Sequence, residues 1–313
     1  MEATDSRAAR DPDLCVITCA VTGVLATRAQ CAAIPYTPVE IADEVKRAYD
    51  AGASVVHVHA RNDDGSPTFS PDTFAKIKAE IEARCPILLN FSTGTILEDV
   101  SDQARYIRES RPAIAALNMG TMNYSKYSEK KKAFAFDMVF PNTYAKIIKL
   151  LEAMNEAGVK PELECFDTGH TNGIWPLLDM GILKKPLQFS FIVNVLGGIP
   201  PTVDSIQLQT KIMPPGSEWE VIGISRCQWR MMATALVLGG NVRAGLEDNL
   251  YLPDGRMARS NGELIDVAAR MTRDVGRKVA TVAEARAILG LDALAAQPSA
   301  SSPETRREAG ALA

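Results

Sequence analysis

Histidine is scarce in this chain of 313 residues: there are three, His57, His59 and His170. Two of them sit in Ser54-Val-Val-His-Val-His-Ala-Arg61. On an extended segment residues i and i+2 project to the same side, so both imidazoles face one way. An H-x-H pair on a strand suits two ligands of a zinc ion. The same pattern also describes two imidazoles hydrogen-bonded inside a barrel, although burying both without partners is costly. Glu247, in Gly240-Asn-Val-Arg-Ala-Gly-Leu-Glu-Asp-Asn249, is the candidate third ligand. Two histidines, one glutamate and an open position make a catalytic rather than a structural zinc site. Asp248 and Arg243 stand beside it, as an ionised general base with its partner or as a plain salt bridge.

Two polar clusters, Asn90-Phe-Ser-Thr-Gly-Thr95 and Asn118-Met-Gly-Thr-Met-Asn123, offer hydroxyls and backbone amides to a carboxylate or an oxyanion. They are equally what turns are made of. Asp167-Thr-Gly-His170 reads as a surface loop, and Gly197-Gly-Ile-Pro-Pro201 as a rigid lip near a pocket mouth.

Short apolar runs must position these groups. Strands are expected at Cys15–Val21, Ser54–Ala60, Ile87–Phe91, Ile114–Asn118, Glu162–Phe166, Gln188–Val195, Trp219–Ile224 and Val242–Leu246. They are rich in Val and Ile, as parallel strands buried on both faces are. Helices are expected at Val39–Ala51, Asp72–Ala83, Thr143–Ala157, Gly173–Gly181, Gln228–Leu238 and Gly262–Val275. Thr37-Pro38 and Ser70-Pro71 each place a hydroxyl cap before a first-turn proline. Eight alternations predict an α/β fold, a (β/α)8 TIM barrel in a single domain, with a doubly wound open sheet as the alternative. There is no G-x-G-x-x-G after the first strand and no P-loop, which removes the usual dinucleotide and nucleotide readings. The catalytic domain is placed at 13–294, between a mobile N-terminal segment (1–12) and a disordered C-terminal tail (295–313).

Hydrophobic residues are 46% and charged residues 23%, a globular composition. Lys plus Arg is 34 against 38 Asp plus Glu, a net charge of −4, which argues against nucleic-acid or membrane-surface partners. No apolar run reaches the ~18–20 residues of a membrane helix, and the polar residues 1–13 predict no export signal. Six scattered cysteines without C-x-x-C read as reduced, buried thiols of a cytoplasmic protein.

Taken together, five collinear segments resemble the β-keto acid cleavage enzymes, the family typified by 3-keto-5-aminohexanoate cleavage enzyme. They are Thr18-Cys-Ala-Val-Thr-Gly23, Val56-His-Val-His-Ala-Arg61 with Asp64-Gly65, Phe91-Ser-Thr-Gly94, Leu117-Asn-Met-Gly-Thr-Met-Asn123 and Arg243-Ala-Gly-Leu-Glu-Asp-Asn249. The resemblance implies a TIM barrel holding a divalent metal, normally zinc (Zn2+), that converts a β-keto acid and the co-substrate acetyl-CoA into acetoacetate and a new acyl-CoA. It implies His57, His59 and Glu247 as metal ligands and Asp248 with Arg243 as the deprotonating pair. Ser92, Thr93 and Gly94 would hold the substrate carboxylate, with Thr95 and Asn118 lining the same pocket. It also implies a homo-oligomer.

Three positions depart from the family pattern. Leu25 stands where the aminohexanoate enzyme has an acid facing the substrate ammonium, so a neutral or apolar acyl tail is expected. Thr95 replaces a second glycine, and Ala116 occupies a position where a hydroxyl is expected. None touches the metal ligands. The competing readings are a zinc carbon–carbon lyase that needs no CoA, a zinc hydrolase and a non-catalytic metal-binding barrel; strict acetyl-CoA dependence separates the first from the family reaction.

Overall fold

The computed structural model describes residues 11–292. Eight strands form a closed parallel barrel: β1 (Ile17–Ala20), β2 (Val55–Val58), β3 (Leu88–Phe91), β4 (Ile114–Asn118), β5 (Lys160–Cys165), β6 (Gln188–Val193), β7 (Glu218–Gly223) and β8 (Asn241–Ala244). They run around the barrel in chain order, and β8 pairs back onto β1 with Arg243 opposite Thr18. Each expected strand is present, with ends moved by a few residues. The doubly wound sheet is therefore excluded by closure. The expectations for residues 1–10 and 293–313 lie outside the described residues. No helix among the described residues is long and apolar enough to cross a membrane.

The strands are not apolar on both faces, and this corrects the expectation drawn from their composition. Ile17, Cys19, Val56, Val58, Leu89, Phe91, Leu163, Phe189, Phe191 and Val242 pack outward against the helices. The inward positions carry Thr18, His57, Asn90, Asn118, Glu162, Glu164, Ser190, Glu220 and Arg243, all buried. Alternation at period two thus hides inside sequences that look uniformly buried. The N-terminal end of the barrel is plugged. Residues 14–15 pair in parallel with Lys278–Val279, and the helix Val282–Ile288 brings Ala285 and Leu289 against Val16, Val55, Leu88 and Ile114. Access is left at the C-terminal end, where barrel active sites are built.

Helix caps bear out one expectation and correct another. Thr37 accepts from the Glu40 amide while Glu40 returns a bond to the Thr37 amide, a complete capping box. Ser70 stands at the start of Pro71–Glu82, but its hydroxyl makes no capping bond. The expected helix over 173–181 is shortened to Trp175–Asp179, and a separate short helix, Thr168–Asn172, precedes it. Two crossover helices, Ser101–Ser110 and Val203–Ile212, were not expected; their buried faces mix polar groups such as Gln103, Ser110 and Gln209 with apolar ones such as Ile107 and Ile206.

One buried arginine ties two mouth loops together. Arg61, 1% exposed, donates to Gly23 O at 2.8 Å, Gly65 O at 3.0 Å, Thr22 O at 3.0 Å and Ala26 O at 2.8 Å. Its guanidinium lies 5.1 Å from the centre of the Tyr36 ring. Lysine cannot reproduce this fork. Arg61→Lys is expected to lower stability by about 2–4 kcal/mol, because buried carbonyls are left without donors. A denaturant titration with an unchanged midpoint would refute the claim.

Candidate active site

The chain folds back sharply to put Glu247 at the barrel mouth. After β8, Gly245 lets the chain approach β1 so closely that a Cβ there would lie 1.9 Å from Ala20 O. The Glu247 amide then bonds that same Ala20 carbonyl at 3.1 Å. Gly23, in the left-handed region at φ +57, faces the Glu247 side chain; a Cβ would meet its Cγ at 2.7 Å. Glycine is needed at both places for glutamate to fit between them.

Glu247 thereby meets the two histidines of β2 and its exit. Its Oε1 lies 3.6 Å from His57 Nε2 and 3.4 Å from His59 Nε2. One donor atom from each residue falls within 4.8 Å of the other two. Glu247 Oε2 and His57 Nδ1 are buried without a hydrogen-bond partner. Two imidazoles and a carboxylate converging with an unmatched oxygen fit a divalent ion of the zinc class. Burial holds His57 well below its usual pKa, in the neutral form a ligand needs. Burial alone would raise Glu247, but Arg243, then His57 and His59, hold it well below the carboxylate range.

Arg243 is the second organising group. Its Nε and Nη2 grip Asp248 in a fork at 2.9 and 3.0 Å, and Nη2 also reaches Glu247 at 2.7 Å. Its Nη1 points toward Glu164 Oε1 at 3.7 Å. Burial pushes Asp248 up to about 6 despite Arg243, which pulls it down. At neutral pH this aspartate is a carboxylate with a proton affinity suited to a base. Burial and then Glu162 push Glu164 up to about 8.

The third wall is the turn after β3. Thr93 donates its hydroxyl proton to Ala116 O at 2.6 Å, and Ser92 Oγ accepts from the Gly94 amide at 3.3 Å. The amides of Thr93 and Thr95 donate to nothing among the described residues. Asn118 Nδ2 approaches Gly94, 3.5 Å from where a Cβ would be. Amides, Ser92 and Asn118 thus gather uncharged polar groups at this turn, while the Thr93 hydroxyl faces β4. Leu25, 54% exposed, lies in the loop that Arg61 holds.

His170 is not a surface-loop residue. It is buried, its Nδ1 accepts from the Phe166 amide at 3.3 Å, and Gly120 has no room for a Cβ because the imidazole fills it. The sequence reading missed Glu162 and Glu164 on β5 and Glu220 on β7. Ser190 donates to Glu162 at 2.5 Å and contacts Glu220 at 3.2 Å, while Asn90 donates to Glu162 at 2.5 Å and Thr18 to Glu220 at 2.7 Å. The signal was present: Glu-Leu-Glu and Glu-Trp-Glu repeat, on apolar strands, the spacing of His-Val-His.

Comparison with known proteins shows the family. Residues 14–291 match the family described as beta-keto acid cleavage enzyme. The chain is 37% identical over 277 residues to 3-keto-5-aminohexanoate cleavage enzyme of Fusobacterium nucleatum, covering 88% of this chain and 97% of that one. It is 30% identical to 3,5-dioxohexanoate:acetyl-CoA acetone transferase of Paraburkholderia graminis, over 88% and 95% of the two chains. A 31% identity links it to 3-oxoadipate:acetyl-CoA acetyltransferase of Cupriavidus necator, over 90% and 96%. Among solved structures the apo form of ObcA superposes with a TM-score of 0.66 at 19% identity, over 82% of this chain and 65% of that one; this likeness concerns the barrel fold. On a match that spans nearly all the described residues, the chain belongs to the β-keto acid cleavage enzyme family.

Proposed function

We propose that this protein exchanges acyl groups between a β-keto acid and acetyl-CoA. The observation that carries the reading is the convergence of His57, His59 and Glu247 next to the Arg243–Asp248 fork. The relatives named for acetyl-CoA transfer support the co-substrate. His57, His59 and Glu247 would hold a divalent ion, zinc by ligand chemistry, although manganese, iron and cobalt accept the same donors. When bound, the ion supplies Lewis-acid polarisation of the ketone and offsets enolate charge.

The residues of the chain do the rest. The turn Ser92-Thr93-Gly94-Thr95, with Asn118, receives the substrate carboxylate through its amides and polar side chains. Asp248 removes a proton from the carbon between ketone and carboxylate, and Arg243 keeps it ionised before and oriented during the transfer. The carbanion attacks the thioester carbon of acetyl-CoA. The CoA thiolate leaves and adds to the substrate's original ketone carbon. Cleavage of the bond between that carbon and the former carbanion carbon releases an acyl-CoA that carries the former tail, and Asp248 returns its proton to the carbanion left behind, giving acetoacetate. Leu25 presents no charge to that tail, so we assign a neutral or apolar β-keto acid. We place the protein in a reducing cytoplasm, where its six free cysteines stay thiols, and as a homo-oligomer.

Acetoacetate is expected from neutral β-keto acids only when acetyl-CoA is present, with activity lost on chelation and restored by zinc. His57→Ala and Glu247→Ala should remove bound metal and lower turnover by at least about a thousandfold, with circular dichroism unchanged. Bound zinc and full turnover in both variants would sink the ligand assignment. Acetoacetate-free cleavage without acetyl-CoA would favour the CoA-independent lyase. Leu25→Glu should raise the preference for cationic over neutral keto acids by about tenfold in kcat/KM; an unchanged profile would place Leu25 outside the tail pocket.

A further inference from the structure

Between β4 and the helix Tyr144–Ala157 the chain inserts an antiparallel hairpin, Met122–Ser128 with Ala133–Phe140. Its base belongs to the site. Phe140 Cζ lies 3.7 Å from the Cβ position of Gly94. Tyr124 packs among Phe136, Phe140 and Phe166 with ring centres about 6 Å apart. Burial and then the carboxylates of Glu247, Asp248 and Glu164 push its phenol up to about 12. The base is also braced: Ser125 bridges to Leu196, and Gly197 passes so close that a Cβ would lie 1.9 Å from Asn123 O. The Gly197–Pro201 segment is thus the buttress of this hairpin.

Beyond the brace the hairpin changes character. Tyr127 and Phe134 face each other across the strands with ring centres 5.5 Å apart, and they are 46% and 57% exposed. The turn that follows is Ser128-Glu-Lys-Lys-Lys132, and Lys126 precedes it. None of these four lysines pairs with a carboxylate among the described residues. Elsewhere lysines meet acids, as in Lys46–Asp50, Lys149–Asp99 and Lys278–Asp11. Unpaired positive charge gathered on a chain of net charge −4 makes a local anion-attracting patch. Six residue steps at about 3.3 Å each carry it roughly 20 Å from the base.

We propose that the hairpin is the handhold for the nucleotide end of CoA. This rests on the acetyl-CoA reading above and adds where that co-substrate is held. Lys126, Lys130, Lys131 and Lys132 meet the phosphates, and the Tyr127–Phe134 pair offers a ring face to the adenine. The pantetheine arm then runs down the hairpin past Tyr124 and Phe140, delivering the thioester to the floor where Asp248 works. The ligand matches the surface at both ends: reactive carbon at the carboxylate-rich base, phosphates at the lysine-rich tip.

The test compares two acyl donors, acetyl-CoA and S-acetylpantetheine, which lacks the nucleotide, in the full chain and its Lys130→Ala/Lys131→Ala/Lys132→Ala variant. The ratio of kcat/KM for acetyl-CoA over S-acetylpantetheine should fall on the order of tenfold in the variant, the size expected for several exposed charge contacts. CoA affinity by calorimetry should weaken by a similar factor, and its salt dependence should flatten. An unchanged ratio and affinity overturn the proposal while leaving acyl exchange intact. A smaller sedimenting species with both donors impaired equally also overturns it, assigning the hairpin to contact with a second copy. Wild-type protein that neither binds CoA nor uses acetyl-CoA removes this inference and the functional reading together.

Discussion

Arg243 is the constraint around which the barrel interior is arranged. Its guanidinium is buried among Asp248, Glu247 and Glu164, and below them lie Glu162 and Glu220. Carboxylates at this density and depth cannot all ionise against one another. The structure resolves the conflict by position. Glu247, touching Arg243 and facing both histidines, stays ionised although burial opposes it. Asp248, gripped at both oxygens, sits at about 6. Glu164, at the edge of the fork, is pushed to about 8 by burial and Glu162, and Glu220 is pushed well above its ordinary value by burial and Glu162. Proximity to one cation thus separates neighbouring carboxyls into ionised groups and groups raised by burial, the separation of proton affinities that acid–base chemistry requires.

That sorting also explains why the inner layer is hydrogen-bonded rather than greasy. A glutamate buried in a barrel must still satisfy its oxygens. Thr18, Asn90 and Ser190 do so from β1, β3 and β6. The network ties nonadjacent strands across the lumen, so the floor beneath His57, His59 and Glu247 is fixed by directional bonds. The helices outside supply the apolar packing, and the plug at 278–291 keeps the other end dry. Stability and chemistry are divided between the two faces of the same strands.

This division sets what could be read from the sequence. The eight strands were legible because both faces are buried, whatever their polarity, and the outward one is apolar. His57, His59, Glu247 and Asp248 stood out because such residues at strand ends have few structural uses. Glu162, Glu164 and Glu220 were hidden inside runs taken as apolar, although their i, i+2 spacing is that of the histidines. His170 misled in the opposite direction: its loop looks solvent-facing, and only the close approach of Gly120 turns the imidazole inward. The hairpin over 122–140 was invisible because most of its residues are exposed, so no burial pattern marks it. Its role depends on where β4 ends and on the brace from Leu196, both facts of tertiary structure.

The same geometry separates the reaction from the choice of substrate. Arg243 and His57 sit on strands, and Glu247 sits on backbone pinned to a strand at Ala20. Leu25 sits on a loop whose carbonyls at Thr22, Gly23 and Ala26 are all held by Arg61. The loop is therefore rigid in backbone but free in side chain. A different residue at 25 changes what this loop presents at the surface without moving Arg61, the carbonyls or Glu247. Gly23 lies between these two regimes, since its bare Cα is what allows Glu247 to approach. The boundary between fixed and adjustable positions thus falls within two residues of this loop, between Gly23, where a Cβ would collide with Glu247, and Leu25, whose side chain is 54% exposed.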